Sequence, residues 1–347
     1  MPSQILITGA TGFIGRRLAR DLVQAGNSVR VLARSPRKAR ELFGETVEVT
    51  NGDLLDPASL KQACQGVDVV YHIAGIYRFG LRHRQLLWET NVGGTENLFQ
   101  AAAQAGVGKV VHVSSGGILK GKGLLTEADY PGQAPPFSSY KGSKWHSEQL
   151  ALAWAKKGFP ITIASPTCPI GPEDEMPTPT GQIIRDFLGG RFPFYCRTGL
   201  NFVSVEDLSD GLQRAALHGR PGERYILGYQ NLWLKQFLDI LAEETGLRSP
   251  RFALPQWVVW AAGLGGEAAG WLGSGECDTR ICLETALQSS RVQFFDNAKA
   301  RNELGWEPSR PVRQSVREAI AWSRGAAAMA EAATPAAAAP SAETHVG

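Results

Sequence analysis

The strongest constraint on the fold lies near the start of the chain, where the apolar run Ile5-Leu6-Ile7 breaks into Gly9, Gly12 and Gly15 at G-x-x-G-x-x-G spacing. Helical periodicity follows at once, with Leu18, Leu22 and Val23 recurring before Gly26, so the glycines sit between a strand and a helix. That placement has a physical purpose. The first two glycines let the backbone turn sharply and approach a pyrophosphate, whose charge suits the free N–H groups and positive end of a helix beginning near Phe13. The third lets the helix lie close on the sheet. Gly9, Thr11, Gly12, Phe13, Ile14 and Gly15 are therefore candidate dinucleotide-binding residues.

Up to about Gly171 the rest of the 347-residue chain alternates in the same sense. Val29 to Ala33, Val47 to Asn51, Val67 to Ala74, Lys109 to Ser114 and Ile161 to Ser165 read as strands, with helical segments at Pro36 to Phe43, Thr90 to Ala105 and Ser138 to Ala155. Right-handed β-α-β crossovers then give an α/β fold, a Rossmann-type doubly wound parallel sheet with a smaller C-terminal substrate-binding region. The expected organisation is a dinucleotide-binding domain over residues 1–170, a substrate-binding region with late returns to the sheet over 171–325, and a disordered Ala/Pro-rich tail over 326–347.

Composition narrows the partners. A net charge of +3 with 20% charged residues provides no strong field for nucleic acid, which favours a small-molecule ligand. Five cysteines, Cys64, Cys168, Cys196, Cys277 and Cys282, are scattered with no C-x-x-C pair, so cytosolic thiols are expected and no metal site. With no signal peptide before the first strand, the expected location is the cytoplasm. The longest apolar stretch, Phe252 to Leu272, contains Pro255, Gln256 and Glu267 and is a poor membrane span. Tryptophan-rich helices usually bury themselves, so it is expected to pack inward; peripheral membrane contact through Trp257, Val258, Trp260 and Trp271 is the alternative.

Arg34 follows the second strand, where dinucleotide folds place the residue that inspects the adenosine ribose. An acidic side chain there would favour a free 2′-hydroxyl; arginine instead pairs with a 2′-phosphate, so NADP(H) is expected over NAD(H). Arg37, Lys38 and Arg40 read in part as a solvated helix face. Asp53 and Leu54 close the third strand, where a carboxylate and adjacent backbone can bond adenine, and Ala74 is a small residue beside the cofactor track. His72 precedes it, with a ring expected to be packed.

Tyr140-Lys141-Gly142-Ser143-Lys144 has Y-x-x-x-K spacing, which brings phenol and ammonium to one helix face. A phenol exchanges protons poorly at neutral pH, whereas a neighbouring ammonium and an oxidised nicotinamide both favour phenolate. Lys144 would also bond the nicotinamide ribose, and a serine of the Ser114-Ser115 pair would hold the substrate oxygen.

With these motifs in order, the chain resembles the extended short-chain dehydrogenase/reductases over roughly residues 3 to 325. The resemblance implies Tyr140 and Lys144 as the acid/base pair and Ser115 as the catalytic serine, with Ser114 a near competitor. It also implies that Pro166 and Cys168, in Pro166-Thr167-Cys168-Pro169-Ile170-Gly171-Pro172, pass the nicotinamide carboxamide. Phe202-Val203-Ser204-Val205-Glu206-Asp207-Leu208 and Asn302-Glu303-Leu304-Gly305-Trp306 are similar to later landmarks. Within the family the chain is similar to the hopanoid-associated sugar epimerase, dihydroflavonol reductase and 3β-hydroxysteroid dehydrogenase group.

That resemblance implies a function in three versions. The first is hydride transfer between NAD(P) and a secondary alcohol or ketone of an apolar molecule, a sterol- or hopanoid-type lipid, with Phe187, Leu188, Phe192, Phe194, Trp257 and Trp260 offering apolar surface. The second is a sugar epimerase; nucleotide-sugar epimerases usually carry an arginine just before Phe202, where this chain has Leu200 and Asn201. A catalytically silent cofactor-binding protein is the third. Homodimerisation is frequent in the family.

Overall fold

The computed structural model describes residues 3–136, 138–272, 282–289 and 291–333. Its centre is a seven-stranded sheet built from β1 (Gln4–Thr8), β2 (Ser28–Ala33), β3 (Glu48–Asn51), β4 (Val69–His72), β5 (Lys109–Val113), β6 (Ile161–Pro166) and β7 (Arg224–Leu227). The strand order is β7-β6-β5-β4-β1-β2-β3, and every neighbouring pair is parallel. β1 lies between β2 and β4, with Ile5 facing Val29 on one side and Val69 on the other. The chain order reverses there, which opens a crevice at the carboxyl ends of the strands.

Helices cover both faces, which explains why the strands read as continuous apolar runs rather than alternating ones. On one face α1 (Phe13–Gln24), α2 (Pro36–Phe43) and, later in the chain, Val205–His218 and Ala298–Leu304 bury Leu18, Leu22, Ala39, Phe43, Leu208, Leu212 and Leu304 against Ile5, Ile7 and Val31. On the other, α3 (Pro57–Ala63), α4 (Gly94–Gln104) and α5 (Ser139–Lys156) bury Leu60, Leu98, Phe99 and Ala151 against Leu6, Val70, Val110 and Ile163. Local chemistry sets the helix starts. Ser35 Oγ accepts the Lys38 N–H ahead of Pro36, and Asp56 accepts the Ala58 N–H ahead of Pro57.

Past β6 the chain builds a second layer that simple alternation does not reveal. Cys168–Ile170 pairs parallel with Gly199–Ser204, which pairs antiparallel with Gln230–Trp233. Helices Pro179–Leu188, Leu234–Thr245 and Val312–Ala333 close over this small sheet around Phe187, Phe202, Phe237, Leu241 and Val316. The chain has by then returned to the central sheet through β7.

Three expectations change here. Phe187 is buried and Leu188 and Phe192 pack against the same core, because an amphipathic helix spends its apolar stripe on its neighbours; these side chains are structural rather than pocket-lining. Helix Gln256–Leu272 does not turn Trp257 and Trp260 inward: Trp257 is 70% exposed, and Trp260 and Leu264 share its exposed stripe at helical spacing. Trp271 lies outside the residues whose side chains are described. The tail boundary also moves. Helix Val312–Ala333 runs past residue 326 through an alanine-rich stretch, alanine being the strongest helix former, and residues 334–347 lie outside the described residues.

Candidate functional site

The β1–α1 turn forms a cradle in which each glycine has a steric reason. Gly9 adopts φ +78°, and a Cβ there would stand 2.7 Å from the Ala74 nitrogen; at Gly15 it would stand 2.3 Å from the Gly9 carbonyl oxygen. Gly12 donates to that same oxygen at 3.0 Å and caps α1 with no side-chain bond, which leaves the first-turn N–H groups at Phe13 and Ile14 for an external anion. Phe13 extends away from the turn towards Gly171. The turn therefore fits a dinucleotide pyrophosphate. Gly15→Ala is expected to displace the turn at a cost of about 1–3 kcal/mol. A lowered melting temperature with weakened cofactor binding in a fluorescence titration is the expected result, and wild-type binding would contradict it.

The adenosine end of the track runs over the ends of β2 and β3. Arg34 is 78% exposed, with Nε 4.0 Å from the Asp53 carboxylate. Its neighbours are more closely held, Arg37 by Glu41 and Lys38 by Glu175, both at 3.4 Å. Asp53 also accepts the Leu55 N–H at 2.8 Å, while the Leu54 side chain is buried beneath α4 and its carbonyl accepts from Asn97. Ala74 is tied to β1 through its N–H to Thr8.

His72 has no free ring nitrogen: Nδ1 meets Thr8 Oγ1 at 2.9 Å and Nε2 meets Thr95 Oγ1 at 2.8 Å. Burial, with the Lys144 charge adding to it, lowers its pKa to about 3, so it is a neutral strut within the sheet.

At the carboxyl end of β5 the serine pair divides. Ser114 is buried and its hydroxyl donates to Glu148. Ser115 instead accepts the Gly117 N–H at 3.1 Å and lies close enough to the Tyr140 phenol to oppose the rise in its pKa. Helix α5 presents Tyr140, Lys144 and Glu148 on one face at successive turns. Lys144 Nζ donates to the Val113 carbonyl at 2.6 Å, and burial lowers its pKa to about 8 against the opposing pull of Glu148. Burial raises the Tyr140 phenol well above its ordinary value; the nearby Ser115 hydroxyl opposes this and the Glu284 charge adds to it.

Pro166 ends β6, and Cys168 follows in the short strand Cys168–Ile170. Burial pushes the Cys168 thiol up to about 11, which makes it a neutral surface at neutral pH. Among the described residues Cys64, Cys168, Cys196 and Cys282 are free thiols, no cluster suited to a metal occurs, and no helix is long and apolar enough to cross a membrane. Cys277 lies outside the described residues.

Several supporting residues carry no local sequence signal. Asn91 bonds both the N–H and the carbonyl of Ile76, at 2.7 and 3.0 Å, and the Ser143 hydroxyl at 3.0 Å, fixing the segment after β4 to α5. That segment sets the Tyr77 ring 4.0 Å from the Tyr140 ring, with Phe79 beside it at 6.2 Å. Arg224, on β7, pairs with Glu148 and stacks on the Tyr130 ring at 3.8 Å. Glu148 has a helical signal, lying four residues beyond Lys144; Arg224 has none, since its partner is distant in sequence.

The profile of the NAD dependent epimerase/dehydratase family matches residues 5–228. A Synechocystis protein with the provisional name dihydroflavonol 4-reductase is 34% identical over 330 residues, covering 93% of this chain and 95% of its own. Sterol demethylase protein B of Methylococcus capsulatus is 32% identical over 321 residues, covering 92% and 98%. The solved structure of gox2253 superposes with a TM-score of 0.81 at 37% identity, covering 93% of this chain and 98% of that one.

Proposed function

Because the chain belongs to the NAD-dependent epimerase/dehydratase family, whose enzymes use a pyridine nucleotide, we propose that it is an oxidoreductase acting on a secondary alcohol or ketone of an apolar substrate. The observation that carries this reading is that Ser114 at the carboxyl end of β5 is diverted to Glu148, which leaves Ser115 as the serine acting on the Tyr140 phenol of α5. Ser115 and Tyr140 hold the substrate oxygen, and Tyr140 exchanges the proton with it. The buried phenol keeps its proton at neutral pH, which suits donation and so reduction of a ketone. Lys144, held by the Val113 carbonyl, would bond the nicotinamide ribose through its remaining donors. When bound, the cofactor supplies the redox equivalent exchanged at the carbinol carbon.

The preferred cofactor in this reading is NADP(H), since the exposed Arg34 guanidinium stands at the ribose-inspecting position with only a long contact to Asp53. A charge-assisted bond to the 2′-phosphate contributes about 1.5–3 kcal/mol. Arg34→Ala should therefore weaken NADPH binding by about 10- to 100-fold and leave NADH binding unchanged. Parallel titrations of both cofactors check this, and equal losses would remove the preference.

An apolar substrate, a sterol- or hopanoid-type lipid, is supported by Tyr77 and Phe79 around Tyr140 and by the sterol-related relative. Leu200 packs in the core and Asn201 bonds Asn231 at 2.7 Å, so neither replaces a diphosphate-clamping arginine. The exposed stripe of Trp257, Trp260 and Leu264 supports peripheral contact with a lipid surface as the route of such a substrate, in a cytoplasmic setting. Sugar epimerisation, which the family name also covers, is the second reading. Cofactor-linked turnover of sterols, hopanoids, flavanones and nucleotide sugars separates the two. Net NADPH consumption with the lipids supports the first reading; conversion of nucleotide sugars alone, without net consumption, overturns it.

A further inference from the structure

The first turn of α5 is held by a residue far along the chain. Ser138 caps the helix by accepting the Lys141 N–H at 3.1 Å, and its own hydroxyl donates to the Glu284 carboxylate. The second carboxylate oxygen accepts the Ser139 N–H at 3.2 Å, across 145 residues of sequence. Both bonds fall within two residues of Tyr140. Glu284 sits on the short helix Leu283–Gln288 and is 3% exposed. A buried carboxylate without compensation costs several kcal/mol in general. Burial raises the Glu284 pKa, and Ser138, the Lys141 charge and the backbone at Gly80 and Ser139 all oppose that rise. With both oxygens accepting, the ionised form is the one held.

The carboxylate is anchored from behind as well. Helix Gln256–Leu272, which carries the exposed Trp257 and Trp260, offers Glu267 to the Leu283 N–H at 3.4 Å. Its Gly263 lies so close to the neighbouring helix that a Cβ would stand 2.4 Å from Ala286 Cβ and 3.0 Å from the Cys282 carbonyl oxygen. On the other side Gly80 ends the segment bearing Tyr77 and Phe79, and its backbone acts on the same carboxylate. Glu284 therefore joins the start of α5, the aromatic segment after β4 and a late helical pair. The charged and titratable groups around the phenol are Tyr77, Lys141 and Lys144 of α5, Cys168, Arg291 and Glu284. Of these Glu284 alone is negative at neutral pH, since burial keeps the Cys168 thiol and the Tyr77 phenol protonated.

We propose that Glu284 is a positioning residue of the site: its carboxylate seats the first turn of α5 against the pair Gln256–Leu272 and Leu283–Gln288, and so fixes where the Tyr140 hydroxyl meets a substrate. The same group has a second effect. A negative charge near a phenol disfavours phenolate, so the residue that places Tyr140 also keeps its proton available for donation to a ketone. Ser138 shares only the first task, which allows the two to be separated. The proposal rests on the oxidoreductase reading for the role of Tyr140 and not for the anchor.

The test uses the full-length protein as wild type, Glu284→Gln, Glu284→Asp and Ser138→Ala. Reduction of a 3-ketosteroid by NADPH is followed across the neutral and alkaline range, and hydrogen exchange of backbone amides is measured without substrate. Glu284→Gln is expected to lower kcat by about 10- to 100-fold, the effect of misplacing a reacting group, with NADPH affinity unchanged. The alkaline fall in kcat should also begin at lower pH, by on the order of one pH unit, because removing the charge eases loss of the proton that reduction consumes. Ser138→Ala and Glu284→Asp, which keep the charge, should lower kcat without moving that limb. In all three variants the amides from Ser139 to Lys141 should exchange faster, while those of the β1–α1 turn should not. A loss of kcat in Glu284→Gln that is equal at every pH would leave only a packing contact and overturn the proposal, as would wild-type exchange at the start of α5. Where Glu284→Gln does not fold, wild-type kcat and exchange in both Ser138→Ala and Glu284→Asp overturn it. Faster exchange in Glu284→Gln, with no ketone reduced by the wild type, would instead reject the oxidoreductase reading and leave the anchor standing.

Discussion

Tyr140→Phe is expected to lower kcat by about 10²- to 10⁴-fold, the range over which a positioned proton donor acts. The substitution removes one oxygen and keeps the ring, so the packing of Tyr77 and Phe79 around it persists and α5 keeps its place. Cofactor affinity should be nearly unchanged, because the cradle at Gly9, Gly12 and Gly15 belongs to another element. Ser115→Ala serves as the companion. It removes the hydroxyl near the phenol and should lower kcat while raising the phenol pKa further, since that hydroxyl now opposes the effect of burial. Ser114→Ala acts on Glu148 instead. Steady-state kinetics on a turned-over ketone, with cofactor titration alongside, reads all three; undiminished turnover in Tyr140→Phe would reject the mechanism.

The second large effect concerns stability. Arg224→Ala should destabilise the protein by about 3–5 kcal/mol, because it strands a carboxylate that has no exposed surface. Burial already pushes the Glu148 pKa up, and Arg224, Ser114 and Lys144 oppose that shift. The pair joins the last strand of the sheet to α5, one turn beyond Lys144, so its loss should also loosen the lysine. Replacing both members, as Glu148→Leu with Arg224→Met, should recover most of the stability, since neither charge is then left unpaired. Urea unfolding of the single and double variants decides this. A loss below about 1 kcal/mol in Arg224→Ala would mean that the ion pair is not what holds β7 to the helix.

The contrast between these variants marks what local sequence can convey. The Tyr140–Lys144 spacing, the glycine turn and the strands from Ile5 to Ser165 are readable because each depends on neighbours within one element, through helical repeat, φ or apolar patterning. Leu54 and Ala74 follow the ends of β3 and β4, so their places along the chain are readable from the strand pattern. The π-helical turn Trp88–Gly93 ahead of α4, which holds Asn91 against Ile76, has no comparable local mark.

Sequence alone determined the parallel α/β sheet, the dinucleotide turn and the helix face bearing Tyr140 and Lys144, since short-range geometry governs all three. Only the tertiary structure sent Ser114 to Glu148 and brought Ser115 near Tyr140, paired Glu148 with Arg224, drew Phe187 into a core with Phe202 and Phe237, and set Glu284 against the start of α5. Those outcomes depend on which distant strands and helices meet. A serine or lysine has the same local propensities whether its neighbour across the fold is a carboxylate, a phenol or a backbone carbonyl, and burial then decides what that neighbour means.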